Sequence, residues 1–591
     1  MMIKRKNRKN SVFDKKKRVA IVSISNTENV VNRYVKFLIL ELKKSVNKII
    51  VCLENDINMK DKHWITNSVD DYLVSVGEYD ANRWKSGILM LGEEISAYDE
   101  MILINDTCYG PLYSFDKIFE RMKNVECDFW GMTKHGNIFY EGERVAETFL
   151  QTYMTVYRKR IMDSEKFVTF WNNVSKYDSF DEYEKKFEFS LFSFFEQAGF
   201  KGEAFCDTND WENGGKYPAI SYPMILPYEL VQYKDFPFVS KSCMESTFAS
   251  RQFYESGMQL QKLFDYIEEK TDYDINMIYE NVLKTKNVCD IISDFNLTYV
   301  LDIEKNVMLK KTRVALIVYL FYEEDAKRNV EKLLKLDSLV DVYIFTPSVA
   351  IKGLVEKLAR KSKYVNSIVV NARGREWATF LNEGAKVALD YEIVGFLHDK
   401  RSHDGEFYSI GKSFQDLLWD NMICSKNYVK QIIKLFEKEY LGVLLPPVVM
   451  HGNYFKFYSN FWTICFEETQ KLAKMIGIQL DNIDKEKTPI SIGSVFWAKT
   501  QAIRPLLEMT ISREDFPKEP MAIDGSINHA LERIVPYVAQ SQGMLTGYII
   551  SNRYANMVIS RDDEIIRKLE QKIEKELPQA RMAYCDYIKG I

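Results

Sequence analysis

The chain has 591 residues, several times an ordinary domain, so it must hold more than one core. With 46% apolar and 28% charged residues it reads as a packed protein, which excludes a disordered or fibrous chain. A net charge of −4 supplies no overall field for nucleic acid, and the aromatics are dispersed rather than set along a basic stripe, so no nucleic-acid partner is expected.

The nine cysteines stand singly, with no CxxC and no histidine at zinc-ligand spacing, and read as reduced cytosolic thiols. The start lacks the apolar stretch of a signal peptide, and nowhere do about eighteen uncharged apolar residues run together. Residues 1–18 carry nine Lys or Arg against one Asp. Such a tail can rest on an anionic membrane surface at about 1 kcal/mol per basic residue, or be a solvated start.

In chain order, Arg18–Ile24 reads as a strand, followed by a helix over 30–44, a strand over 48–53, a strand ending near Val76, a helix over 84–91 and a strand over 101–104. From Arg313 the rhythm restarts: strand 313–319, helix 325–336, strand 340–346, strand 367–370, helix 377–389 and strand 392–397. The recurrence predicts a duplicated α/β architecture with mostly parallel sheets, whose ligands sit at the C-terminal strand edges. The expected division is a basic flexible tail (1–17), an N-terminal domain (18–245), a helical connector (246–310), a C-terminal domain (311–556) and C-terminal helices (557–591).

Candidate chemistry falls on those edges. In the second half Asn371-Ala372-Arg373-Gly374-Arg375, between a strand and a helix, resembles the donor-binding segment of GT-A glycosyltransferases. Next comes His398-Asp399-Lys400-Arg401 after a hydrophobic strand, where a GT-A enzyme carries its metal-binding Asp-x-Asp. A departing nucleoside diphosphate needs its charge offset by a divalent cation, Mg2+ or Mn2+, or by Lys and Arg. Asp399 is the candidate metal ligand, and His398, Lys400 and Arg401 join Arg373, Gly374 and Arg375 as candidate donor-binding residues. In the first half Asp80, Asn105 and Asp106 hold the matching places, with Asp106 the candidate metal ligand. A plain turn or helix cap is the competing reading of each.

Further on, Asp524 opens a helical pattern with His529 and Arg533 one turn apart. Inverting glycosyl transfer needs a carboxylate to take the acceptor's proton, and Asp524 is the candidate base, with His529 beside it and Arg533 on the donor. Glu188 is the weaker equivalent in the first half. Trp130 and Trp497, near the motifs, are candidate acceptor platforms, although most aromatics in a chain of this size are core.

Taken together these residues resemble the rhamnan synthesis protein F family of bacterial glycosyltransferases. The first-half likeness rests on Tyr79-Asp80 with Trp84, Asn105-Asp106-Thr107-Cys108-Tyr109-Gly110-Pro111-Leu112, and Cys127-Asp128-Phe129-Trp130-Gly131-Met132-Thr133-Lys134-His135. The second-half likeness rests on Arg373-Gly374-Arg375, the His398, Lys400 and Ser402 pattern, Gly493-Ser494-Val495-Phe496-Trp497, and Asp524-Gly525 with His529-Ala530-Leu531-Glu532-Arg533. Glu78 and Asn82 depart from the glycines expected there, and Asp399 from a usual Thr. The resemblance implies two GT-A-like domains, and transfer of L-rhamnose from dTDP-L-rhamnose to a polyprenyl-diphosphate-linked glycan at the cytoplasmic membrane face. Two readings compete with it: transfer from a UDP-hexose to a surface polysaccharide or glycoprotein, and a non-catalytic glycan-assembly protein.

Overall fold

A computed structural model describes residues 16–576, other than 27–28, 76, 78, 137, 141–142, 147, 209–210, 212–220, 246–255, 402–406, 450, 452–461, 479–482, 488, 490, 519–521 and 523. The chain separates into two compact units, one up to Ile278 and the other from Tyr279.

The first unit is built on one sheet: β1 (Arg18–Ile24), β2 (Lys48–Leu53), β3 (Asp71–Val74), β4 (Glu100–Asn105), β5 (Phe129–His135), β6 (Met154–Arg158) and β7 (Gly202–Cys206). Their order across the sheet is β3-β2-β1-β4-β6-β5-β7, and Phe149–Leu150 pairs with β5 off this path. All neighbours run parallel except β6, which lies antiparallel to both β4 and β5. Every residue of β1 is buried, as its unbroken apolar run requires of a central parallel strand covered on both faces. The covering helices include α1 (Arg33–Leu42), α2 (Asp80–Leu91) and α3 (Phe189–Gln197).

The second unit repeats the plan with β8 (Thr298–Leu301), β9 (Val314–Tyr319), β10 (Asp341–Thr346), β11 (Val365–Val369), β12 (Ile393–His398), β13 (Leu441–Leu445), β14 (Phe496–Lys499) and β15 (Leu545–Ser551). Its order is β11-β10-β9-β12-β14-β13-β15-β8, the first unit's order with one strand added, and the antiparallel strand, β14, again stands between the fourth and fifth. Alternate residues of β9 feed opposite cores: Leu316 and Val318 go to one face, Ile317 and Tyr319 to the other. Helices α4 (Glu323–Leu334), α5 (Arg375–Thr379), α6 (Tyr408–Met422) and α7 (Ile527–Ser541) cover it, and α8 (Asn552–Glu576) follows. The two mostly parallel sheets covered by helices are the duplicated α/β architecture expected from the sequence.

The expected helical connector is corrected. Of its residues, Gln259 on helix Gln259–Lys270 accepts the Tyr228 N–H of the first unit, while Val288 joins a core of the second and Thr298–Leu301 pairs with β15 as a strand. Strand β8 escaped sequence reading because only one of its four residues is buried, so it carries no apolar run. Among the described residues, no helix is long and apolar enough to cross a membrane.

Candidate functional site

The richest cluster lies in the second unit, where β12 and the lead-in to β14 meet the N-terminus of α7. Asp524 precedes α7 and is locked from two sides: the Thr463 hydroxyl donates to Oδ2, and the Cys465 thiol donates to Oδ1 at 2.8 Å. The Arg533 guanidinium stands 3.6 Å from Oδ1. Burial pushes the Asp524 carboxyl up, but the Cys465 and Thr463 hydrogen bonds and Arg533 outweigh it and hold the group below the usual carboxylate range. Asp524 is therefore ionised at neutral pH and partly open to solvent, as a proton acceptor needs to be. Thr463 takes a left-handed φ of 50°, strained for a β-branched residue, so its contact with Asp524 is made at a local cost.

His529 sits in the first turn of α7. The Ser526 N–H and hydroxyl both face its Nδ1, closing a capping box. With Nδ1 accepting the backbone proton, the neutral ring carries its hydrogen on Nε2. Burial holds His529 below its ordinary range, with Arg533 and Lys400 adding to this against Glu532 and Asp524. His529 is thus a neutral Nε2–H donor rather than a base.

Glu532, one turn on, receives the Ser494 hydroxyl at 2.9 Å and the Gly493 N–H, and Ser494 in turn receives the indole N–H of Trp377. Burial raises the Glu532 carboxyl, but Arg533 and Lys400 overcome it and keep it low. His398 ends β12, with Nδ1 2.8 Å from the Asp399 carbonyl oxygen and Nε2 2.9 Å from that of Gly493. Lys400 follows, its ammonium 4.3 Å from the Phe414 ring centroid. Asp524, His529, Arg533 and Lys400 are therefore brought together as expected.

Other expected members of the site serve the fold. Asp399 is buried, and its carboxylate receives the N–H groups of Phe321 and Tyr322 at 2.9–3.0 Å, clasping the end of β12 to the end of β9. A divalent ion takes several oxygen ligands, yet Asp399 is flanked by Lys400 and Arg401, and no group of three His, Cys, Asp or Glu among the described residues has metal-binding geometry. Arg401 pairs with Asp325 and Glu324 at 3.2 and 3.1 Å. Arg373 latches the 513–516 loop through the carbonyls of Glu514 and Phe516. Gly374 is required by its φ of +76°, since a Cβ there would lie 2.5 Å from that of Ala378, and Arg375 follows it in the left-handed region. Ser402 lies outside the described residues.

In the first unit Asp80, Asn105 and Asp106 also come together. Asp80 receives the Ser23 hydroxyl at 2.6 Å, Arg83 at 2.9 Å and the Asn105 amide at 2.7 Å. Asp106 receives the Ser25 N–H at 3.2 Å and the Tyr34 hydroxyl at 3.1 Å, so it is a clasp like Asp399 rather than one arm of a metal site. Glu188 closes a single π-helical turn ahead of α3 and accepts the Thr152 N–H at 3.2 Å. Burial pushes its carboxyl up to about 7.

The acceptor platforms are corrected: Trp130 and Trp497 are 1% and 0% exposed and cannot stack on a sugar. They fill the cores on β5 and β14, and the Trp497 indole donates to the Met422 carbonyl. The pairing of Glu188 with Asp524 is corrected too. Glu188 accepts the N–H of Thr152 ahead of β6 as Glu532 accepts that of Gly493 ahead of β14, so Glu532 is its counterpart. Glu532 was legible as the residue three past His529 on the same helical face; Cys465 and Thr463, far away in sequence, gave no signal.

Comparison with known proteins finds the following likenesses. A 51-residue stretch, 9% of the chain, is 41% identical to the protein WxcX of Xanthomonas campestris pv. campestris, and the chain spans only 7% of that relative's length. Among solved structures, the glycosyltransferase GlyE of Streptococcus pneumoniae TIGR4 aligns over 66% of this chain and 87% of its own, at 9% identity and a TM-score of 0.21. A nucleotide-diphospho-sugar transferase from Desulfovibrio desulfuricans G20 aligns over 37% of this chain and 95% of its own, at 13% identity and a TM-score of 0.18. The family model described as rhamnan synthesis protein F matches residues 49–544, most of the length, and the chain belongs to that family.

Proposed function

We propose that the second unit transfers L-rhamnose from dTDP-L-rhamnose to a growing polysaccharide on a polyprenyl diphosphate, with inversion at the anomeric carbon. Family membership supports a glycosyltransferase of polysaccharide synthesis. The observation that carries the reaction type is the ionised Asp524 carboxylate held within 3.6 Å of Arg533 in a cluster that Lys400 also influences.

Asp524 takes the proton of the acceptor hydroxyl as that oxygen attacks the anomeric carbon. The bond from that carbon to the diphosphate oxygen breaks, and the electron pair leaves with dTDP. Lys400 and Arg533 offset the charge that develops on the leaving group, and the His529 Nε2–H adds a neutral donor. Glu532, itself held ionised by Arg533 and Lys400, offsets the repulsion between these two cations. No step is routed through a metal. The basic tail supports attachment at the cytoplasmic membrane face, where the lipid-linked acceptor is presented.

The test is nucleotide release by the purified chain, together with its melting temperature, against dTDP-rhamnose, UDP-glucose, UDP-galactose and GDP-mannose. Stabilisation by dTDP-rhamnose alone, with acceptor-dependent dTDP release that is insensitive to EDTA, is expected. Response only to a UDP-hexose would replace the sugar, and no response to any donor would favour a non-catalytic assembly role.

A further inference from the structure

The two units can be matched position by position. Asp106 receives the N–H of Ser25, two residues past Ser23, which pairs with Asn105. Asp399 receives the N–H of Phe321, two residues past Tyr319, which pairs with His398. The clasps are the same feature, so the residue after each is the same position: Thr107 in the first unit, Lys400 in the second. The shared glutamates fix a second frame. In it Phe189 follows Glu188 where Arg533 follows Glu532.

The electrostatics of the two edges are consequently opposite. Glu532 faces Arg533, Lys400 and His529, whereas the charged neighbours that act on Glu188 are Glu184 and Asp80. Two cations near the first edge are already engaged. Buried Arg83 lies 2.9 Å from Asp80 and 3.4 Å from Glu54, and Lys241 donates to the Tyr34 hydroxyl at 2.6 Å and stands 4.0 Å from Asp106. A nucleoside diphosphate placed at this edge would meet Asp80, Asp106 and Glu188, with Thr107 and Phe189 where the second unit offers Lys400 and Arg533. Bringing its charge there costs desolvation and repulsion, and among the described residues at this edge the matched positions offer no new ion pair in return.

We infer that the nucleoside diphosphate of the donor binds in the second unit alone, and that the first unit, though folded on the same plan, is not a second donor site. This rests on the reading of the chain as a nucleotide-sugar transferase and assigns the donor to one of its two sheets. The test is isothermal titration of the full chain with dTDP, and in parallel with UDP and GDP. One nucleotide per chain is expected, a readout that needs no variant. Lys400→Ala, at a partly exposed position, should weaken binding about tenfold or more, as expected for loss of a charge-assisted contact. Lys241→Ala, beside the first edge, should leave stoichiometry and affinity unchanged. Two nucleotides per chain, undiminished binding by Lys400→Ala, or loss of binding with Lys241→Ala would each overturn the inference, as would a chain that binds none of the three. Binding of UDP or GDP in place of dTDP would contradict the donor proposed above while still deciding, by its stoichiometry, where the nucleotide sits.

Discussion

Glu188 and Glu532 show how one residue type at one position acquires opposite properties from its neighbours. Both accept a backbone N–H from the approach to the antiparallel strand. With Arg533 and Lys400 beside it, Glu532 stays ionised; with Asp80 and Glu184 beside it, and burial above all, Glu188 is pushed up to about 7. A carboxyl whose folded pKa exceeds its unfolded value stabilises the fold fully below the unfolded pKa, and the contribution is lost as pH rises through the folded one. The first unit should therefore lose on the order of 2 kcal/mol between pH 4.5 and 7 from this group. Glu188→Gln keeps an acceptor for Thr152 and removes the titration. Its melting temperature should exceed the wild type's at pH 8 and match it at pH 4; equal melting at both pH values would show that Glu188 is not held protonated. Such differences were invisible in the sequence, where both residues are single glutamates in helical patterns. Equally invisible were the partners of Asp106 and Asp399, whose acidic character suggested a metal: the first receives one backbone N–H and the second two, contributed from another strand end.

Among the elements, the central strands were the most legible. β1, β2, β4 and β12 are apolar runs buried almost throughout, and their bounds lie within a residue or so of those read from pattern. Edge strands were less so, because β8 is largely exposed and β11 has no buried residue. The turn between β11 and α5 was legible as special. Arg373 holds the 513–516 loop, and the glycine is a structural constraint: Gly374 has a φ of +76°, a Cβ would lie 2.7 Å from Phe516 Cγ, and its carbonyl receives the Asn528 amide from α7 at 3.0 Å. Gly374→Ala must shift Phe516 and Ala378 as well as adopt a disfavoured conformation, for about 1–3 kcal/mol in total. It should lower the melting temperature of the second unit by several degrees in a calorimetric scan and weaken nucleotide binding, since α7 carries Arg533 and His529. An unchanged scan would show that the loop absorbs the methyl group freely.

For the molecule as a whole, the duplication was evident from the restart of the strand and helix rhythm at Arg313, and both units share the order 3-2-1-4-6-5-7 with the sixth strand antiparallel. What pattern alone did not separate was the chemistry at the two edges, because Lys400 and Thr107 become comparable only once strand register aligns them. The account places the reaction at one edge, with Asp524 as the base. The most direct measurement is the rate of acceptor-dependent dTDP release from dTDP-rhamnose by Asp524→Asn and wild type across pH 4–9, with folding checked by circular dichroism. The account predicts a loss of about 10²–10⁴-fold in Asp524→Asn, and a wild-type rate that persists on acidification until the pH falls below the usual carboxylate range, because Asp524 is held low by Cys465, Thr463 and Arg533 against the effect of burial. Undiminished release by a folded Asp524→Asn chain would contradict it.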